Sequence, residues 1–314
     1  MKILNLVEQF SEEAKSVLAA LGEVDYRSVR QEELAAAVAP YEALFVRLGL
    51  QYDKTVIDAA PNLKYIATAT TGLNHIDVAY AESKGIKVIS LRGENQFLDT
   101  ITSTAELAFG LLIDLARYTP WAYDSIRRYE MKMDDFRGTS LFGKTLGIVG
   151  MGRLGKIIAA GAAGWRMNVV FTDPNVPQEK FPQYTKVSMD ELLGQSDFVS
   201  LHVHLLPETA GLLGESAIGK MKKGALLVNT SRGELVDEAA VLRALENGHL
   251  GGYATDVLTR ELDFTKKFEN HPLVEYAKKS HNCIMVPHTG GLTHESRRDT
   301  DVFIATKLAA AVRG

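Results

Sequence analysis

The chain has 314 residues, 46% of them hydrophobic and 24% charged, and its 35 basic and 39 acidic side chains give a formal net charge of −4. That is ordinary globular composition: it excludes long disorder and collagen-like or coiled-coil architecture, and it argues against nucleic-acid binding through a basic surface. The length exceeds what a single core usually fills and predicts two domains.

No apolar run approaches the roughly 18–20 residues that span a bilayer, so no membrane partner is expected. The opening stretch MKILNLVEQFSEEAK turns acidic after a short apolar run and lacks the apolar core of a secretory signal. The single cysteine, Cys283, can form no internal disulfide and no multi-thiolate metal site. The expectation is a cytoplasmic protein without a structural metal.

In chain order, residues 3–7 read as a strand and 12–21 as a helix. Strands follow at 43–46, 65–68 and 87–90, with helical pieces at 55–60 and 78–84. This alternation is the βαβ rhythm of a parallel sheet covered on both faces. A longer helix at 102–117 interrupts it. Ser103-Thr104-Ala105-Glu106 has the spacing of a capping box, with Ser103 as the expected cap and Glu106 reaching back. Pro120 and Trp121 open another helical segment that turns polar at 127–135. A second series begins near Lys144: strand 146–149, helix 153–164, then strands at 168–172, 198–201, 225–229, 253–255 and 284–286. A closing helix is expected over 295–312.

The second series opens on Gly150-Met151-Gly152-Arg153-Leu154-Gly155, between the strand LGIV and the helical KIIAAGAA. Gly150 permits the tight turn, Gly152 lets a pyrophosphate approach the backbone, and Gly155 lets helix pack on strand. The amides of the helix start favour the diphosphate charge. The next strand ends at Asp173, 18 residues after Gly155. An acid there accepts hydrogen bonds from ribose hydroxyls and repels a 2′-phosphate, which favours NAD over NADP. The plain alternative is a tight strand–helix turn followed by a surface Asp.

Three later segments suit hydride chemistry. Asn229-Thr230-Ser231-Arg232-Gly233 follows a strand end, where open α/β sheets bind ligands. The guanidinium of Arg232 is a planar fork able to grip a carboxylate with two hydrogen bonds. Asp256 to Glu261 follows the next strand, and Pro287-His288-Thr289-Gly290-Gly291 the last. A histidine titrates near neutrality, so it can give or take the proton that must accompany a hydride, and a nearby carboxylate fixes its tautomer.

These pieces, with TTGLNHID at 70–77, STAELAFGLL at 103–112, LLPET at 205–209 and GALLVNTSRGELVDE, stand in the order found in one family. The chain resembles a D-isomer-specific 2-hydroxyacid dehydrogenase of the phosphoglycerate- and hydroxypyruvate-handling type. The resemblance implies two doubly wound parallel-sheet domains, flavodoxin-like and Rossmann, with an interdomain cleft. Residues 1–100 with 291–314 would form the substrate-binding domain and 101–290 the NAD-binding domain. It implies that Arg232, Glu261 and His288 are catalytic: Arg232 binding the substrate carboxylate, His288 carrying the proton, Glu261 pairing with His288. Gly150, Gly152, Arg153, Leu154, Gly155, Asp173, Thr230, Asp256 and Gly290 would contact the cofactor, with Asp256 on the nicotinamide carboxamide. Thr71 and Gly72 would complete the carboxylate site. Arg47, at a strand end in ALFVRLG, resembles a cleft arginine suited to a phosphate or second carboxylate; a surface arginine is the plain alternative. The helical region around 109–115 reads as core or as the interface of a homodimer.

The expected activity is hydride transfer between NAD(H) and a D-2-hydroxy or 2-keto acid, phosphorylated or dicarboxylic if Arg47 takes part. The alternatives are a non-catalytic NAD-sensing regulator on the same scaffold, and a dehydrogenase for a different donor such as phosphite or formate. Phosphite-oxidising relatives carry a lysine where this chain has Thr71. Other departures stand out. Leu262 and Asp263 follow Glu261 where the family has a proline, so Asp263 is a rival for the role of Glu261. Lysine pairs at 266–267 and 278–279 mark a longer stretch before His288. His204 replaces a usual proline. Thr68 and Thr70 stand where a phosphoglycerate enzyme would carry an arginine. The end at Gly314 implies no regulatory domain.

Overall fold

The computed structural model describes residues 1–261 and 268–314. The chain divides into two units, Met1–Ile101 with Leu292–Gly314, and Thr102–Gly291. The first stretch runs β1 (Lys2–Asn5), α1 (Glu12–Ala19), β2 (Glu23–Tyr26), α2 (Gln31–Val38), β3 (Ala43–Val46), α3 (Lys54–Asp58), β4 (Tyr65–Thr68), α4 (Val78–Ser83), β5 (Lys87–Ile89) and α5 (Asn95–Leu98). The second unit opens with α6 (Ser103–Arg117) and α7 (Thr119–Arg127), then β6 (Thr145–Val149), α8 (Arg153–Gly164), β7 (Asn168–Thr172) and β8 (Thr185–Lys186). It continues with α9 (Met189–Gln195), β9 (Phe198–Leu201), α10 (Glu215–Lys220), β10 (Ala225–Asn229) and α11 (Glu238–Glu246). It ends with β11 (Leu250–Thr255), α12 (Pro272–Ala277) and β12 (Cys283–Met285), and α13 (His294–Arg313) returns the chain to the first unit.

The first sheet has the order β2-β1-β3-β4-β5 and every pairing is parallel. This is the flavodoxin-like winding. Its strands alternate between two apolar layers: Leu4 and Leu44 enter one, Ile3 and Phe45 the other. The second layer includes Ile304, Ala305 and Leu308 of α13. Side-chain caps mark several of the helix starts. Ser11 accepts the Ala14 N–H, Asp53 that of Val56 and Asp77 that of Tyr80.

The second sheet, β12-β11-β10-β9-β6-β7-β8, is also parallel throughout. Its strand order reverses at β6, between β9 and β7, which is the Rossmann winding and puts the switch point at the end of β6. Leu227 faces one layer and Val228 the other, so both sides are covered. The fold therefore matches the two doubly wound sheets expected from the sequence.

Two local expectations need correction. Ser103 is not the cap of α6 but its first helical residue; Thr102 is the cap, and its hydroxyl donates to Glu106 Oε1 at 2.5 Å. Consecutive hydroxyl residues at 102–104 make the register ambiguous, and burial of Ser103 decides it. The strand expected at 253–255 begins three residues earlier, at Leu250. Gly251 and Gly252 look like breakers but are required there, because a Cβ on either would meet backbone oxygen within 3.0 Å.

Candidate active site

The strand β6 delivers the chain into the glycine loop. Gly150 has φ +94°, and a Cβ on it would lie 2.5 Å from the His202 carbonyl oxygen. A Cβ on Gly155 would lie 2.1 Å from the Gly150 carbonyl oxygen, so this glycine lets α8 seat on the strand. Gly152 caps α8, and its Cβ direction meets nothing within 4 Å. Arg153 and Leu154 form the first turn of α8. Asp173, just past β7, accepts the Met151 N–H at 2.9 Å through Oδ2 and the Asn175 N–H at 2.8 Å through Oδ1. The acid thus ties the end of one strand to the glycine loop of its neighbour.

Two strands along from β6, β10 ends in a segment ordered by Asn229. Its Nδ2 donates to the Arg232 carbonyl at 2.9 Å and its Oδ1 accepts the Ser231 N–H at 3.0 Å. Ser231 Oγ donates to the Leu201 carbonyl at 2.8 Å, pinning the turn to β9. Thr230 Oγ1 is buried and has no hydrogen-bond partner among the described residues. The guanidinium of Arg232 donates to the Ser231 carbonyl at 2.6 Å.

Asp256, Glu261 and His288 follow the ends of the two adjoining strands. The His288 N–H donates to the Asp256 carbonyl at 3.0 Å. The Asp256 carboxylate accepts the Thr289 N–H at 2.6 Å and the Gly290 N–H at 2.8 Å. A Cβ on Gly290 would lie 2.9 Å from Asp256 Oδ2, so the loop wraps the acid closely. Burial pushes the Asp256 pKa up, against the pull of those two amides and of His288. A nicotinamide carboxamide at Asp256 would therefore share oxygens that already hold the loop. His288 has a left-handed backbone, φ 53°, and its Nδ1 lies 2.5 Å from Glu261 Oε1.

The structure thus brings Glu261 and His288 together. Arg232, Asp256 and His288 follow the C-terminal ends of three neighbouring parallel strands, β10, β11 and β12. Asp263, the rival for Glu261, lies outside the described residues, as do Leu262 and the lysines at 266 and 267. His204 is exposed, with its carbonyl accepting the Thr209 hydroxyl at 2.7 Å. In the first unit, Arg47 follows β3 with its Nη2 3.8 Å from Glu8 Oε1, and the Thr70 hydroxyl donates to the Gly72 carbonyl at 2.8 Å beside Thr71.

Comparison with known proteins bears directly on this geometry. Residues 109–290 match the family described as D-isomer specific 2-hydroxyacid dehydrogenase, NAD binding domain. The chain belongs to this family. A D-3-phosphoglycerate dehydrogenase of Mycobacterium tuberculosis is 39% identical over 306 residues, covering 95% of this chain and 55% of the relative. The chain thus spans about half the length of the curated relatives it matches. A solved protein from Thermus thermophilus superposes with a TM-score of 0.86 at 31% identity, covering 100% of this chain and 97% of that one. A D-lactate dehydrogenase from Aquifex aeolicus, solved with NAD and lactic acid, gives a TM-score of 0.84 at 26% identity, covering 100% and 96%.

The family's NAD fits the residues present. Gly152 leaves open space at the start of α8, Gly150 and Gly155 let the loop turn and pack tightly beneath it, and Asp173 stands at the next strand end. The buried Thr230 hydroxyl lacks a protein partner. Among the described residues no group of three or more His, Cys, Asp or Glu side chains is placed to hold a metal ion, and no helix is long and apolar enough to cross a membrane. Glu234, Glu238 and Asn229 also shape this site, although the motifs that contain them point to no such role. Glu238 sits in the first turn of α11, where an acid reads as a partner of the helix dipole.

Proposed function

We propose that the chain catalyses reversible hydride transfer between NAD(H) and a D-2-hydroxy or 2-keto acid. The observation that carries the reading is the Glu261–His288 pair at the sheet end that holds the glycine loop and Arg232. When bound, NADH supplies the hydride to the carbonyl carbon. His288 gives a proton to the carbonyl oxygen as it becomes a hydroxyl, and takes it back in the oxidative direction. With Nδ1 turned to Glu261, Nε2 is the nitrogen left to face the substrate. Arg232 grips the substrate carboxylate. Gly150, Gly152, Arg153, Leu154, Gly155, Asp173, Thr230, Asp256 and Gly290 are assigned to the cofactor.

The first unit is assigned substrate contacts through Arg47, Thr71 and Gly72. The name of the mycobacterial relative favours a phosphorylated acid, and a partly exposed Arg47 supports it. A screen of NADH oxidation with glyoxylate, pyruvate, hydroxypyruvate, 2-ketoglutarate and phosphohydroxypyruvate tests the whole reading. Tight NADH binding without turnover of any of them would favour the regulator instead.

The chain is further assigned as a homodimer. Support comes from apolar side chains crowding one stretch of the second unit: Tyr123, Tyr129, Met131 and Met133 are exposed, Tyr129 by 99%. Light scattering on the intact protein and on Tyr129→Arg checks this. A cytoplasmic location is assigned from the lone, buried thiol of Cys283.

A further inference from the structure

Glu261 is the last described residue before the stretch 262–267, and its side chain reaches His288. The residues just before Glu261 are held by two carboxylates. The Thr259 N–H donates to Glu238 Oε1 at 2.8 Å, and the Arg260 N–H donates to Glu234 Oε1 at 3.0 Å. Glu261 closes the turn itself: its N–H donates to the Leu258 carbonyl at 3.2 Å and its Oε2 accepts the Leu258 N–H at 3.2 Å. Gly233 makes the approach possible, because a Cβ there would lie 2.1 Å from the Leu258 carbonyl carbon. Arg260 has φ 57°, a backbone that a non-glycine residue keeps only where its surroundings fix it.

Glu238 does more than hold Thr259. Its Oε2 lies 3.4 Å from His271 Nε2, and the two side chains are only 16% and 11% exposed. His271 caps α12, on the far side of residues 262–267. One carboxylate therefore binds the chain both before and after the segment that begins at Glu261. The helix start does not need it, since Asp237 already accepts the Ala239 and Ala240 N–H groups of α11. Burial pushes the Glu238 pKa up, and Thr259 and His271 pull against it. A carboxylate kept in such a place is poorly explained by stability alone.

We propose that Glu238 is a positioning residue: by joining Thr259 to His271 it sets Glu261 within reach of His288 Nδ1. The inference rests on the reading of His288 as the proton carrier.

The test reads the imidazole directly. At about pH 9, above the ordinary range of histidine titration, the 15N spectrum of His288 in the intact protein is expected to show the Nδ1-protonated tautomer. Glu261→Ala and Glu238→Ala should both shift it toward the Nε2-protonated form. Glu238→Gln keeps an oxygen for the Thr259 N–H and should restore much of the wild-type spectrum. In turnover, Glu238→Ala should lower kcat roughly tenfold to a hundredfold, as misplacement by about an ångström does, with NADH Kd and keto-acid KM unchanged. Added to Glu261→Ala it should lower kcat no further. A wild-type spectrum and kcat in Glu238→Ala overturns the positioning role, and so does an additive loss in the double variant. If Glu238→Ala does not fold, His271→Leu carries the same comparison, and a wild-type spectrum there overturns the role. If wild-type His288 shows no Nδ1 preference, or Glu261→Ala leaves it unchanged, the His288–Glu261 reading itself fails and takes this inference with it.

Discussion

Nδ1 of His288 meets Oε1 of Glu261 at 2.5 Å although 27 positions separate the two residues. The contact is assembled from two strand ends. His288 is tied to β11 by its N–H on the Asp256 carbonyl, and Glu261 is folded back onto Leu258. Each partner is thus held by hydrogen bonds of its own main chain as well as by the contact between the side chains.

His288→Asn is expected to lower kcat/KM for keto-acid reduction by about 10²–10⁴-fold. Asparagine tolerates the left-handed backbone at this position, so the fold should survive. NADH fluorescence titration should give a near wild-type Kd. Turnover close to wild type would assign the proton to another group.

Arg232→Ala should cost roughly a hundredfold or more in kcat/KM if the charged hydrogen bonds assigned to it hold the substrate carboxylate. Arg232→Lys should recover only part, because an ammonium lacks the planar fork. The loss should follow the acid and spare NADH binding, which steady-state kinetics and calorimetry separate. Equal loss of both would make Arg232 a scaffold residue.

Gly155→Ala places a methyl 2.1 Å from the Gly150 carbonyl oxygen and 3.2 Å from Ile148 Cγ2. Either α8 or the loop must move. Stability should fall by about 1–3 kcal/mol in urea titration, as for other overpacked sites. NADH affinity should fall with it, because the displaced backbone is the part assigned to the pyrophosphate.

Asp301 of α13 is fully buried, with the Arg297 guanidinium 3.6 Å away, and burial raises its pKa from 3.8 to about 6. A raised acid favours the protonated fold. Its stabilising contribution is complete below pH 3.8 and is lost as pH rises through about 6. Asp301→Asn should therefore stabilise the protein above that range, by roughly 1–3 kcal/mol, and leave it unchanged near the lower bound. Denaturant unfolding across the pH range checks both limbs. Equal stability at both ends would mean that Arg297 fully compensates the charge.

His202 carries the opposite sign. Its Nδ1 is sealed from solvent and its Nε2 lies 2.8 Å from Ser200 Oγ, and burial lowers its pKa from 6.5 to about 4. The neutral ring fits the fold, so stability is lost as pH falls from 6.5 toward 4. His202→Gln should flatten that slope in the second unit; a slope equal to that of the wild type would assign it to other groups.

Much of the fold is legible because its strands are near-continuous apolar runs, such as Ala43–Val46 and Phe198–Leu201, both buried throughout. The edge strand β2, with the sequence EVDY and no fully buried residue, carries no such signal. The short helices α9, α10 and α12 hold six or seven residues each, too few for a clear period. At the candidate site, the residues proposed from the sequence stand out because their chemistry is singular: a fork, an imidazole, a glycine in a tight turn. Glu234 and Glu238 do not, because their role is to accept backbone N–H groups of Arg260 and Thr259. An acid that recognises main chain leaves no pattern in its partner's side chains.

The left-handed turn at position 288 also bears on how this protein would respond to selection for heat resistance. A backbone of that kind in a residue other than glycine costs on the order of 1–3 kcal/mol. His288→Gly relieves it, so variants chosen only for surviving high temperature would drift toward a hardier molecule without the imidazole to which the proton transfer is assigned.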